Sequence, residues 1–324
     1  MLQINNTIIE ENISMADHSS FELGGRARFF VLVKSVADLE NATGWAREKG
    51  LSIFILGGGS NLLFSDEGFP GLVAKIDLTK VEILSPPSIQ SGEPTRLIVG
   101  AGVRMIPLAS KISKMNLTGL EWANGVPGTL GGAIRGNAGA FRRDISDLTN
   151  WVEVWRDNQV IRLSKEECGF HYRDSFFKNK FSNDIILSAE LAARPGDPRQ
   201  IQEDYRKFLK HRHATQPPYP SAGCVFKNYL LTTPEEIERL RALGLPEEFV
   251  GYKKAPAAWL IEQCGVKGVK MGGAMVSFEH ANFIINVDGT AMASDVIALM
   301  KLIKEKVYEK FGIKLEEEVK MVGL

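Results

Sequence analysis

The chain lacks the features that would place it in several large protein classes. Of its 324 residues only three are cysteine, Cys168, Cys224 and Cys264. They lie far apart and form no CxxC pair, which excludes a disulfide scaffold and points to a reducing compartment. Neither sign of charge is in excess, since Lys+Arg and Asp+Glu both total 39. No overall basic surface exists to attract nucleic acid or anionic lipid, so neither partner is expected. Long apolar runs are missing too. The longest uncharged stretch, Gly50 to Ser65, is interrupted by glycines, serine and asparagine and does not read as a transmembrane helix. The segment MLQINNTIIEENISMADHSS has no basic start followed by an apolar run, so a cytoplasmic location is expected. There is no HExxH, no Cys/His array and no EF-hand spacing, and no metal site is expected.

What the chain does have is glycine, 31 residues, some of them gathered in two conspicuous clusters. The first, LGGGSNLLFSD, starts at Leu56 and follows a strand predicted over Ile53 to Leu56. Consecutive glycines let backbone N–H groups approach a ligand that side chains would block, and such arrays suit phosphate oxygens. Three glycines alone also suit a tight turn. The dinucleotide pattern GxGxxG fails at Leu62, and no GKS or GKT follows, so the loop is neither Rossmann-like nor a P-loop. The second cluster, GVPGTLGGAIRGNAGAF from Gly125 to Phe141, carries Val126, Leu130, Ala133 and Ile134 and is too apolar for a flexible linker. A buried, glycine-dense segment must satisfy its backbone groups. A bound pyrophosphate would do so, and so would close packing of a helix start.

Periodicity and capping signals outline the rest. Phe29 to Val33, Val73 to Ile76 and Leu97 to Val99 read as strands. Ser35 caps a helix that Gly50 ends, and a further helix spans Met105 to Met115. Ser85 to Thr95 is a Pro/Ser/Gly loop. Trp151 to Leu163 alternates as a hairpin turning at Asp157-Asn158. Gln200 to His211 is a charged helix leading into the rigid segment TQPPYPSAG, where the main domain boundary is expected. Thr233-Pro234-Glu235-Glu236 is a strong helix start. Ser294 to Phe311 is an amphipathic helix with Val296, Met300, Ile303, Val307 and Phe311 at helical spacing. Lys314 to Val322 reads as a strand, which would place Glu316 and Glu318 on one side and Glu317 on the other. Strands and helices mix without βαβα alternation, so the fold class expected is α+β.

Three polar positions stand out. Arg173, in YRDSFFK, reads either as a surface ion pair with Asp174 or as an arginine aimed at a carboxylate. Cys224, in PYPSAGCVFKN, is either a small buried hydrophobe or a thiol placed to donate a proton. The glutamates of LEEEV form a solvated face, or one of them points into a cleft.

Ser20-Phe21 with Gly24-Gly25, ILGGGSNLLFSD, GVPGTLGGAIRGNAGAF, YRDSFFK, PSAGCVFKN, GGAMVSFEHANFIIN and LEEEV occur in an order that spans residues 19 to 323. In this the chain resembles the UDP-N-acetylenolpyruvoylglucosamine reductase family, flavin enzymes of peptidoglycan precursor synthesis. The resemblance implies a flavin region of the vanillyl-alcohol-oxidase type in two parts, residues 1–80 and 81–205. A substrate domain would follow over 206–312, with a C-terminal strand over 313–324 returning to the active site. It implies FAD as cofactor, NADPH as co-substrate and UDP-N-acetylglucosamine enolpyruvate as substrate, in a protein expected to be a monomer.

The implied FAD contacts are Leu56, Gly57, Gly58, Gly59, Ser60, Asn61 and Leu62 in the first cluster. In the second they are Gly125, Val126, Pro127, Gly128, Thr129, Gly131, Gly132, Asn137, Ala138 and Gly139. Arg173 and Glu318 are the implied stabilisers of an enolate formed by hydride addition, and Cys224 the acid that protonates it. Glu318 would have to be protonated to help, since a second anion would repel the enolate. Substrate contacts fall on Tyr172, Gln216, Lys227, Asn228 and His280. The chain departs from the family pattern in four places. Cys224 stands where serine is usual, Tyr229 replaces a common proline, the stretch between Tyr172 and Gln216 lacks an insertion bearing a substrate-covering tyrosine, and Arg135 is unexpected. Two other readings compete: an FAD oxidoreductase of the same architecture acting on another alcohol or sugar, and a non-catalytic nucleotide-sugar-binding protein.

Overall fold

A computed structural model describes residues 1–85 and 92–324; most of the expected Ser85 to Thr95 loop lies outside these. The chain forms two compact units, each assembled from non-contiguous segments. The first comprises residues 1–13, 27–59 and 70–214, and the second 14–26, 60–69 and 215–324.

The first unit contains two large sheets. One has five strands in the order Leu2–Ile4, Thr7–Ser14, Arg26–Val33, Phe69–Ile76, Ile53–Leu56. Its last pair is parallel, Leu56 opposite Lys75. The other is an antiparallel sheet ordered Gln159–Ser164, Thr149–Arg156, Ile185–Pro195, Thr95–Gly100, Val81–Ile83, with Leu117–Thr118 pairing off Ile185–Pro195. The hairpin turns at Asp157 and Asn158, with φ of 49° and 62°. Two consecutive left-handed residues match the right-handed twist of the flanking strands, and Asp and Asn tolerate that region best after glycine. The helix Val36–Glu48 begins where the Ser35 side chain accepts the Asp38 N–H at 3.1 Å. Together with Met105–Lys114 it closes a core that includes Leu39, Leu72, Leu97, Leu108, Trp122 and Val152, all buried.

The second unit packs the helices Pro234–Ala242, Ala257–Gln263 and Ala293–Phe311 around a small antiparallel sheet, Lys270–Met271, Ala274–Val276 and Ile284–Asn286. The apolar stripe of the Ala293–Phe311 helix is buried as its spacing predicts, and Gly312 ends it at φ 64°. Its N-terminus is closed from a distance, since the Asp66 carboxylate accepts Ala293 N–H at 2.6 Å and Ser294 N–H at 3.0 Å.

The expected strand over Lys314 to Val322 is corrected here. Only Lys320–Val322 is a strand, parallel to Leu62–Phe64, and Glu317 makes a single bridge to Phe226. Residues 313–316 form no ladder. Alternation of buried Ile313 and Leu315 with exposed neighbours produced the strand signal, and alternation records a buried face, not a pairing partner. Among the described residues no helix is long and apolar enough to cross a membrane.

Candidate functional site

In the first unit the two glycine clusters meet. Leu56 closes its strand and Gly57 to Gly59 follow directly. A Cβ on Gly58 would stand 2.5 Å from Gly128 Cα and 3.0 Å from its carbonyl carbon, and one on Gly57 would stand 2.8 Å from Thr129 Oγ1. The loops therefore touch backbone to backbone, which only glycine permits. The second loop is held by Met105 N–H to Gly128 O at 3.0 Å, Leu130 N–H to Val103 O at 2.9 Å and Gly131 N–H to Ala101 O at 2.9 Å.

Thr129 Oγ1 is buried with no hydrogen-bond partner among the described residues. A hydroxyl left unpaired in this way costs free energy unless a ligand completes it. An unsatisfied oxygen at the junction of two glycine-rich loops fits the phosphate-rich cofactor that the resemblance implied. Lys75 lies opposite Leu56 in the parallel pair. Burial pushes its ammonium below the usual lysine range, while Asp77 opposes and Arg104 reinforces the shift.

Downstream, the helix Leu130–Gly136 ends on Asn137, which is left-handed at φ 41°. Gly139–Ala140 and Arg143–Asp144 then form a two-residue hairpin through Phe141 and Arg142, at φ 53° and 65°. Phe141 stacks on Phe208 with centroids 4.2 Å apart. Gly125, Val126, Pro127, Gly132 and Ala138 belong to this same cluster, so the first unit holds all expected cofactor positions except Ser60, Asn61 and Leu62.

Tyr172 and Arg173 also lie in the first unit, at the tip of a tight turn. His171 N–H reaches Asp174 O at 2.9 Å and Asp174 N–H reaches His171 O at 3.1 Å. Arg173 is left-handed at φ 55°, a region costly for a residue of this kind and found where surrounding structure enforces it.

The second unit gathers the remaining polar positions around one backbone segment. Val225 N–H donates to Asn282 O at 2.9 Å. The buried Asn282 side chain accepts Phe226 N–H at 3.0 Å and donates to Phe226 O at 2.8 Å. Cys224, half-buried, bridges Phe283 on the same side. From the other side Glu318 N–H donates to Val225 O at 2.7 Å and Lys227 N–H to Glu316 O at 2.9 Å. Cys224 and Glu318 are thus carried on directly adjacent segments. Asn61 joins them, its Nδ2 donating to Glu318 O at 3.0 Å.

The neighbouring groups are also engaged. The Lys227 ammonium pairs with the Glu316 carboxylate, and Lys304 with Glu317 at 2.7 Å. Asn228 Oδ1 accepts Ala257 N–H at 3.1 Å, capping the Ala257–Gln263 helix. His280 Nδ1 accepts Asn282 N–H at 3.3 Å, which leaves the proton of the neutral ring on Nε2. Burial holds that imidazole below its ordinary 6.5. Gln216 is half-buried just past the Pro198–Thr215 helix. Asn282, which anchors the Cys224 segment, lies inside GGAMVSFEHANFIIN, but nothing in that string marks it above its neighbours.

Comparison with known proteins finds two matching regions. Residues 27–163 match an FAD-binding domain family, and residues 215–322 match the C-terminal domain of UDP-N-acetylenolpyruvoylglucosamine reductase. A reductase of that name from Carboxydothermus hydrogenoformans is 38% identical over 97% of this chain and 93% of its own. Another, from Anoxybacillus flavithermus, is 36% identical over 100% and 97%. The crystal structure of UDP-N-acetylenolpyruvylglucosamine reductase from Thermus caldophilus superposes with a TM-score of 0.76 at 28% identity, covering 98% of this chain and 99% of that one. The chain belongs to the UDP-N-acetylenolpyruvoylglucosamine reductase family, as a flavin-dependent oxidoreductase with FAD as its cofactor.

Proposed function

We propose that the protein reduces UDP-N-acetylglucosamine enolpyruvate to UDP-N-acetylmuramate at the expense of NADPH. The observation that carries this reading is the approach of the Cys224 and Glu318 segments, joined through Val225 O at 2.7 Å. The meeting of the glycine loops at Gly58 and Gly128 supplies the cofactor half. Residues 1–80 and 81–205 would build the flavin part, and 206–312 with 313–324 the substrate part. Gly57, Gly58 and Thr129 would hold the pyrophosphate through backbone N–H groups and the Thr129 hydroxyl, with the other expected cofactor residues of the two clusters lining it.

Bound FAD would supply hydride chemistry, relaying a hydride from NADPH to the terminal carbon of the enolpyruvyl double bond. The electron pair of that bond then moves toward the carboxylate as an enolate. The Arg173 guanidinium stabilises the growing negative charge, and the acid form of Glu318 donates a hydrogen bond to it. The Cys224 thiol donates its proton to the adjacent carbon and is reprotonated from solvent, completing addition of two hydrogens across the bond. A thiol, with an ordinary pKa of about 8.5, is protonated at neutral pH and gives up its proton more readily than a serine hydroxyl. Tyr172, Gln216, Lys227, Asn228 and His280 would hold the substrate; Asn228 would use Nδ2, its Oδ1 being engaged with Ala257.

The test is anaerobic NADPH oxidation by the purified yellow protein, with and without the enolpyruvyl substrate. Oxidation that depends on that substrate and yields the lactyl ether is expected. Oxidation indifferent to it, with no lactyl ether formed, overturns the reading.

A further inference from the structure

Arg135 is the one charged residue of the second glycine cluster, and neither the phosphate argument nor the chemistry above uses it. We infer that Arg135 is the positioning residue for Arg173, locking the Arg173 turn onto the cofactor-lining segment. This inference rests on the proposed role of Arg173.

The connections are specific. The Arg135 guanidinium donates to Phe177 O, and its own carbonyl accepts Ser175 Oγ–H at 2.7 Å. Two residues on, Asn137 Nδ2 donates to His171 O at 2.9 Å. Lys178, whose Cε lies 4.0 Å from where a Gly136 Cβ would stand, donates from Nζ to Arg173 O at 2.5 Å. Both flanks of the Tyr172-Arg173 tip are thereby fastened to residues 135–137. These ties hold Arg173 in a left-handed conformation that it would otherwise leave.

Arg135 itself is half-buried. Burial pushes its guanidinium down, with the Asp174 carboxylate opposing. Taking a cation partly out of water is costly unless hydrogen bonds and nearby charge offset it, and here the Phe177 carbonyl and the Asp174 carboxylate do so, which fixes the guanidinium against the turn. A planar guanidinium reaches a carbonyl along a fixed direction, which a lysine ammonium does not reproduce.

The experiment compares Arg135→Met and Arg135→Lys holoenzymes with the parent in two anaerobic half-reactions. In Arg135→Met, return of the flavin absorbance on adding the enolpyruvyl substrate should slow by about 100-fold, as for a catalytic group displaced by about 1 Å. Bleaching by NADPH, which does not use Arg173, should stay at the parent rate. Arg135→Lys should fall between parent and Arg135→Met. In an Arg173→Ala background, Arg135→Met should add no further slowing, because both changes remove the same interaction. Hydrogen exchange at the His171 and Asp174 amides should accelerate in Arg135→Met, independently of any turnover.

Equal slowing of both half-reactions, or full additivity with Arg173→Ala, overturns the inference. If Arg135→Met does not fold, Ser175→Ala removes the second tie alone and should show the same pattern more weakly; an unchanged re-oxidation rate there overturns it. If Arg173→Ala alone leaves re-oxidation unchanged, the proposed role of Arg173 fails instead, and the exchange rates still decide whether Arg135 holds the turn.

Discussion

Gly58 shows how a single absent Cβ sets the cofactor site. The three atoms nearest its would-be Cβ are all backbone, from Gly128 and Thr129, so no rotamer change can relieve that clash. Gly58→Ala should cost about 1–3 kcal/mol and be purified with much less bound FAD, measured as the flavin-to-protein absorbance ratio. Gly44→Ala, in the Val36–Glu48 helix with nothing within 4 Å of the new methyl, should keep full flavin content and gain roughly 0.5–1 kcal/mol of stability. At the proton donor, Cys224→Ser should retain substantial turnover and Cys224→Ala should lose most of it. An alanine variant that reduces substrate at the parent rate would remove Cys224 from the mechanism. Residues of these kinds were legible because glycine density and a thiol are visible as composition. Arg135 and Asn282 were not, because their meaning lies in partners 42 and 56 positions away along the chain.

Elements were legible where a local signal had one solution. Thr233 illustrates this: its side chain accepts Glu236 N–H at 3.2 Å, and Glu236 returns to Thr233 N–H at 3.2 Å. Thr233→Ala should lower stability by about 1 kcal/mol in urea unfolding. The Glu236 carboxylate also accepts from the Tyr229 hydroxyl and from Thr232, and these bonds, the tyrosine first, hold it down at about 2. A depressed carboxylate stabilises the fold above its ordinary 4.5 and loses that contribution as pH falls through 2. The stability gap between parent and Glu236→Gln should therefore be full at pH 7 and narrow progressively below pH 4.5. A gap independent of pH would show that Glu236 is not stabilised as the anion. The Lys314 to Val322 segment went the other way, because its extended backbone is fixed by Val225 and Lys227 rather than by a neighbour in sequence.

For the whole molecule, the FAD-binding and C-terminal family regions do not coincide with separable pieces. The core of the second unit includes Phe21, Leu23 and Leu63 along with residues beyond 215. Those three buried side chains contribute about 1.5–3 kcal/mol each, together comparable to the 5–15 kcal/mol that stabilises an ordinary domain. A fragment of residues 215–324 would lose them along with the Leu62–Phe64 strand and the Asp66 cap. It should show little cooperative unfolding by circular dichroism, whereas a sharp thermal transition in that fragment would contradict this account of the core. The same interleaving bears on how the protein is made. Asn61 and Glu318 bond across 257 positions, and ribosomes deliver roughly 5–20 residues per second. During biosynthesis Phe21 and Leu63 therefore emerge roughly 13–50 seconds before the segments that cover them. For that interval each nascent chain carries an uncovered apolar strand edge, which makes it a natural client for chaperones that bind at the ribosome exit.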